Sequence, residues 1–106
     1  MAWDIIVRKV GVFGQLDLFW TGYLGWMWFV YVLKSINHPF IYIGSSNDVE
    51  RRLGEHNAGL NQSTKHYAPL EVEAYIAVKT ESKARELEKY FKVGSGKSIL
   101  KRRILD

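Results

Sequence analysis

Arg52 and His56 stand four residues apart, and Glu88 stands among Ala84, Leu87 and Phe91. On a helix of 3.6 residues per turn the first two are neighbours, sharing one stripe with Val49 and Leu53. Glu88 likewise shares a stripe with three apolar residues, and a carboxylate in such company is paired, protonated or bound to a metal. Two tyrosines, Tyr31 and Tyr42, lie in β-branched and aromatic runs. Taken singly, each has a plainer reading. Arg52 and Glu88 make a salt bridge between helices, His56 is a hydrogen-bonded edge residue, and the tyrosines are core. Taken together, they form a set able to grip a phosphate, hold a cation and move a proton.

These residues need elements to carry them. Residues 29–33, Phe-Val-Tyr-Val-Leu, read as a strand, and residues 40–44, Phe-Ile-Tyr-Ile-Gly, as a second. The turn formers of residues 35–39 join them into a hairpin. Asn47 with Glu50 three residues on reads as a capping box, opening a helix to about Ala58. A polar loop follows from Gly59 to Pro69. Residues 70–78 alternate, with Val72, Ala74, Ile76 and Val78 expected on one buried face. Thr80 or Ser82 opens a second helix, closing near Val93 with Gly94 as its cap. A short basic helix from about Lys97 to Ile104 ends the pattern. The order β-β-α-β-α-α predicts an α+β (α/β) domain with a small, mainly antiparallel three-stranded sheet flanked by helices.

Residues 94–98, Gly-Ser-Gly-Lys-Ser, resemble the end of a phosphate-binding loop. Phe91 stands where the required first glycine belongs, and a helix precedes it instead of a strand, so the glycines read as a turn between helices.

At 106 residues the chain has room for one small domain. The absence of cysteine excludes disulfides and zinc–thiolate sites and fits a reducing cytoplasm. A net charge of +4 favours an anionic partner, nucleic acid first, and Lys83, Arg85, Lys89, Lys92, Lys97, Lys101, Arg102 and Arg103 crowd the last quarter. Residues 1–26 are expected to form an apolar extension before a domain of residues 27–106, which opens at Met27. Asp17 is the single charge between Val10 and Leu33, and it weighs against a membrane span.

The chain resembles the GIY-YIG nuclease family from about Trp28 to Ile104. Tyr42-Ile43-Gly44 looks like the second motif, and Val30-Tyr31-Val32 stands where the first belongs, with Phe29 or Val30 in place of its glycine. Arg52 lies ten residues after Tyr42 and matches the family's arginine. His56 matches the histidine or tyrosine one turn later, and Glu88 matches the metal-holding glutamate. The stretches 48–57 and 88–101 look like small stand-alone bacterial members that resemble the N-terminal domain of UvrC-like excinucleases.

The resemblance implies a metal-dependent DNA endonuclease of repair, recombination or processing, located in the cytoplasm. It implies Mg2+ or Mn2+ at Glu88 and Arg52 on the phosphate. Tyr31 or Tyr42 would be the general base, its pKa lowered by the metal and Arg52, and His56 would assist the base or orient the phosphate. Gly44, Lys65, His66, Lys97, Lys101 and Arg102 are expected along the DNA. Two other readings compete: a non-catalytic nucleic-acid-binding module of the same fold, and a membrane-associated adaptor using the apolar N-terminal arm.

Overall fold

The computed structural model describes residues 6–8 and 27–105. Four strands, β1 (Ile6–Arg8), β2 (Trp28–Ser35), β3 (Ile41–Ser46) and β4 (Leu70–Val78), form one sheet in the order β1-β4-β2-β3. Every pairing is antiparallel. Helices α1 (Val49–Asn57), α2 (Glu81–Lys92) and α3 (Gly94–Ile99) follow the chain order expected, and a wider helical turn, Leu100–Leu105, extends α3. The architecture is the antiparallel α+β fold that the sequence predicts, with one addition. The sheet has four strands, not three, because Ile6–Arg8 pairs with residues 75–77 of β4. The apolar arm therefore contributes an edge strand. Its remaining residues lie outside the described ones. No helix among the described residues is long and apolar enough to cross a membrane.

The central strand explains the layering. β2 lies between β4 and β3, and residues 29–33 are all buried, so the strand reads as an unbroken apolar run rather than an alternation. One face packs Phe29, Tyr31 and Leu33 with Leu70, Val72, Tyr75 and Ala77, and Val49 and Leu53 of α1 cover it. The other packs Val30, Val32, Ile43, Ile76 and Val78 against Ala84, Leu87 and Phe91 of α2 and Leu100. The sheet is thus sandwiched between α1 and α2.

β4 departs from the expected single buried face. Val32 pairs with Ala74, but Leu33 pairs with Val72, so Glu73 is an extra residue in the ladder. The bulge reverses the alternation, because a one-residue insertion sends every later side chain to the opposite face. Leu70 and Val72 therefore join the α1 layer while Ile76 and Val78 join the α2 layer.

The helix caps follow local chemistry with small shifts. Asp48, not Asn47, caps α1, its carboxylate accepting from the Arg51 amide. The Thr80 hydroxyl accepts from the Lys83 amide at the start of α2. Gly94 turns the chain at a φ of +54°, which suits a residue without Cβ. The third helix starts there, three residues earlier than the basic run predicts, because Gly96 packs directly on the Tyr90 carbonyl and belongs inside the helix.

Candidate active site

β3 is an edge strand, and both layers meet around it. Tyr31 of β2 lies opposite Gly44 of β3. A Cβ on residue 44 would stand 2.5 Å from the Tyr31 hydroxyl, so only glycine lets the Tyr31 ring lie across the strand. Tyr42, two residues earlier, packs beside Tyr31 with ring centroids 6.3 Å apart. Ser45 points to the other layer, where its hydroxyl donates to the Glu88 carboxylate of α2 at 2.6 Å. Alternation along one edge strand thus delivers tyrosines from one side and a carboxylate from the other.

An open cleft of about 400 Å³ results. Tyr31, Tyr42, Gly44, Ser45, Arg52 and Glu88 line it, with Arg51, Arg85 and Trp28 at its walls. Arg85 lies over the Trp28 ring, 5.9 Å from its centroid. The Arg52 guanidinium donates to Glu55 at 2.5 Å, so the arginine is held in place by its own helix. Arg52 holds Glu55 below the usual carboxylate range, and Arg51 adds to this. Glu88 is not tied to Arg52. Its second oxygen takes the Lys92 ammonium at 2.7 Å. Burial disfavours the charged form of Glu88, but hydrogen bonds from Lys92 and Ser45, with the charges of Lys92 and Arg85, outweigh it and leave the carboxyl below its ordinary value.

His56 occupies a different position from the other four. It is fully buried behind Tyr31 and does not line the cleft. Its Nε2 is 3.2 Å from the Tyr31 hydroxyl, and its Nδ1 is 2.8 Å from the Thr64 hydroxyl. Burial and then the Arg52 charge press its pKa below 6.5, with Glu55 opposing, which favours a neutral imidazole. Burial also raises Tyr31 above 10.0, and Arg52 offsets this only in part. Arg52 by itself therefore does not produce the lowered tyrosine pKa that the sequence reading expects of it.

The basic residues expected along the DNA are dispersed. Lys65 and His66 lie on a short helical turn after Thr64, outside the cleft. Lys97 lines a neighbouring depression with Tyr42 and Lys92. Lys101 lines another with Lys34, Ile41 and Glu73, and Arg102 is exposed. Three residues not expected in the site belong to it, Lys92 having been counted only among the basic residues of the last quarter. Lys92 was legible, since a lysine four residues after a glutamate is its helix neighbour. Ser45 and Thr64 reach their partners only through the tertiary fold.

A family model described as the GIY-YIG catalytic domain matches residues 27–103. The chain belongs to the GIY-YIG family. Neither the curated proteins nor the solved structures contain a match. The matched range covers all the residues of the cleft and both partners of His56. GIY-YIG domains are nuclease domains acting on DNA.

Proposed function

We propose that this chain is an endonuclease that hydrolyses DNA phosphodiester bonds with a divalent cation, Mg2+ or Mn2+, at Glu88. The observation that carries the reading is the convergence of Tyr31, Tyr42, Arg52 and Glu88, from four different elements, on one polar cleft. A salt bridge serving only stability would join Arg52 to Glu88, yet each has another partner.

The donor set suits a hard cation held loosely. No group of three His, Cys, Asp or Glu side chains among the described residues forms a closed metal cage. A single ionised carboxylate suffices for Mg2+, which keeps several waters and takes substrate oxygens as ligands. Hydrogen bonds from Lys92 and Ser45 keep Glu88 ionised, the form that binds a cation. A bound cation supplies charge relief to the phosphate and its leaving oxygen.

The remaining roles fall to the chain's own side chains. Arg52, restrained by Glu55, presents donors to a non-bridging phosphate oxygen and stabilises developing charge. Ser45 orients Glu88. Tyr31 is the base in this reading because a neutral imidazole stands behind its hydroxyl. Its raised pKa disfavours a standing phenolate, so it takes the proton of water while its own passes on to His56. Burial removes His56 from contact with the phosphate. Tyr42 forms the wall beside Lys92, whose ammonium is 5.8 Å from the ring centroid. Arg51 and Arg85 guide the strand into the cleft, and the more distant Lys65, His66, Lys97, Lys101 and Arg102 add weaker backbone attraction. A cytoplasmic role in DNA repair, recombination or processing belongs to the same proposal.

Nicking of supercoiled plasmid with Mg2+ or Mn2+ tests this. Glu88→Gln and Arg52→Ala should each lower the rate roughly 100-fold or more, the scale of losing one transition-state charge partner, with unchanged circular dichroism.

A further inference from the structure

Thr64 is fully buried, and its hydroxyl faces His56 Nδ1 at 2.8 Å. It lies in a polar loop, away from the cleft and outside the motifs named above. Building on the nuclease reading, we infer that Thr64 is a positioning residue that holds His56 as its Nδ1–H tautomer, leaving Nε2 bare toward the Tyr31 hydroxyl.

Donors and acceptors decide the tautomer. A threonine hydroxyl both donates and accepts, so the Thr64 end does not set the direction. The Tyr31 end does. An arginine guanidinium has donors and no acceptor. Arg52 lines the cleft beside Tyr31, and its positive charge draws the phenol lone pairs toward the cleft and turns the phenol hydrogen away from it. The phenol hydrogen is then left to donate, and His56 Nε2, 3.2 Å away, is the acceptor facing it. Nε2 therefore carries no proton. A neutral ring has its one proton on the other nitrogen, and Nδ1–H donates to Thr64 Oγ1. This is the less common tautomer of histidine in water, so it needs a fixed partner.

The consequence for the reaction is a directed relay. As an attacking water gives a proton to the Tyr31 oxygen, the Tyr31 hydrogen moves to His56 Nε2. The imidazolium formed keeps its Nδ1–H on Thr64. Charge builds behind the tyrosine, not on it, and the bound phosphate offsets it. Loss of the Thr64 hydroxyl leaves a buried Nδ1–H with no acceptor, a cost that shifts the ring toward the Nε2–H tautomer, which cannot accept from Tyr31.

Nitrogen NMR of the imidazole at neutral pH, on the free protein without metal or DNA, reads the tautomer directly. Wild type should show Nδ1 protonated and Nε2 bare. Thr64→Val should shift the ring toward Nε2–H and slow plasmid nicking roughly tenfold or more, the range for losing the outer partner of a working histidine. Thr64→Ser should restore both. A wild-type ring protonated at Nε2, or a Thr64→Val protein with an unaltered tautomer, overturns the inference. Because the wild-type and serine spectra suffice, misfolding of the valine variant does not rescue it. A correct tautomer in a protein that never nicks DNA supports the positioning and defeats the nuclease reading instead.

Discussion

At Gly44 the backbone leaves no space for a side chain, since the Tyr31 hydroxyl would stand 2.5 Å from a Cβ there. Gly44→Ala should therefore displace the Tyr31 ring and disturb its bond to His56. Overpacking of this kind costs about 1–3 kcal/mol. Urea unfolding should show that loss, and nicking should fall with it. His56 makes a second prediction. Its pKa is held below 6.5 in the folded chain, so the unfolded chain binds more protons as the solution is acidified. Its contribution to stability is complete above that value and is lost as pH falls through the lower folded-state value. Urea midpoints measured from about pH 8 down to about pH 5 should decline in this window, and His56→Asn should flatten the decline. Of these residues, Arg52, His56 and Glu88 were legible because helical spacing alone exposes a polar group on an apolar stripe. Ser45 and Thr64 were not, because a serine in a strand or a threonine in a loop carries no periodic signal. Each has meaning only through a partner 43 or 8 residues away.

Elements were legible where a repeat extends over several residues. The extents of β4, nine residues, and of α2, twelve, agree closely with those read from the sequence. The face assignment along β4 failed at Glu73, because a bulge is a property of the pairing with β2 and leaves the composition of the strand unchanged. The start of α3 was misplaced for a related reason. Gly94 and Gly96 favour a turn locally, and only contact with Tyr90 shows that Gly96 serves close helix packing. Gly96→Ala should drive a methyl into the Tyr90 carbonyl. The expected loss is about 1–3 kcal/mol, from overpacking against Tyr90 of α2. A urea midpoint equal to wild type would show that α3 is free to move away from α2.

Across the whole molecule, the fold places an edge strand where two layers can exchange residues. β3 has no neighbour on its outer side within the described sheet, and Tyr42, Gly44 and Ser45 reach both layers from it. At the opposite edge, Ile6–Arg8 pairs with β4, and β4 and β2 lie between it and β3. The boundary at Met27 is a proposal that this arrangement makes testable. A protein starting at Met27 should fold cooperatively and nick plasmid at a rate close to that of the full chain, with a lower urea midpoint because three paired positions on β4 are lost. Failure to fold would make the first 26 residues part of the domain.

The nuclease reading turns on one carboxylate and one arginine that share a cleft and cut DNA with a divalent cation. The rate of supercoiled-plasmid nicking decides it, measured for wild type, Glu88→Gln and Arg52→Ala, each with Mg2+ or Mn2+ and again after EDTA. Wild type should nick only with metal and stop in EDTA, and both folded variants should fall to near-background rates. Wild-type nicking that persists in EDTA, or a Glu88→Gln protein that cuts at the wild-type rate, would refute this reading.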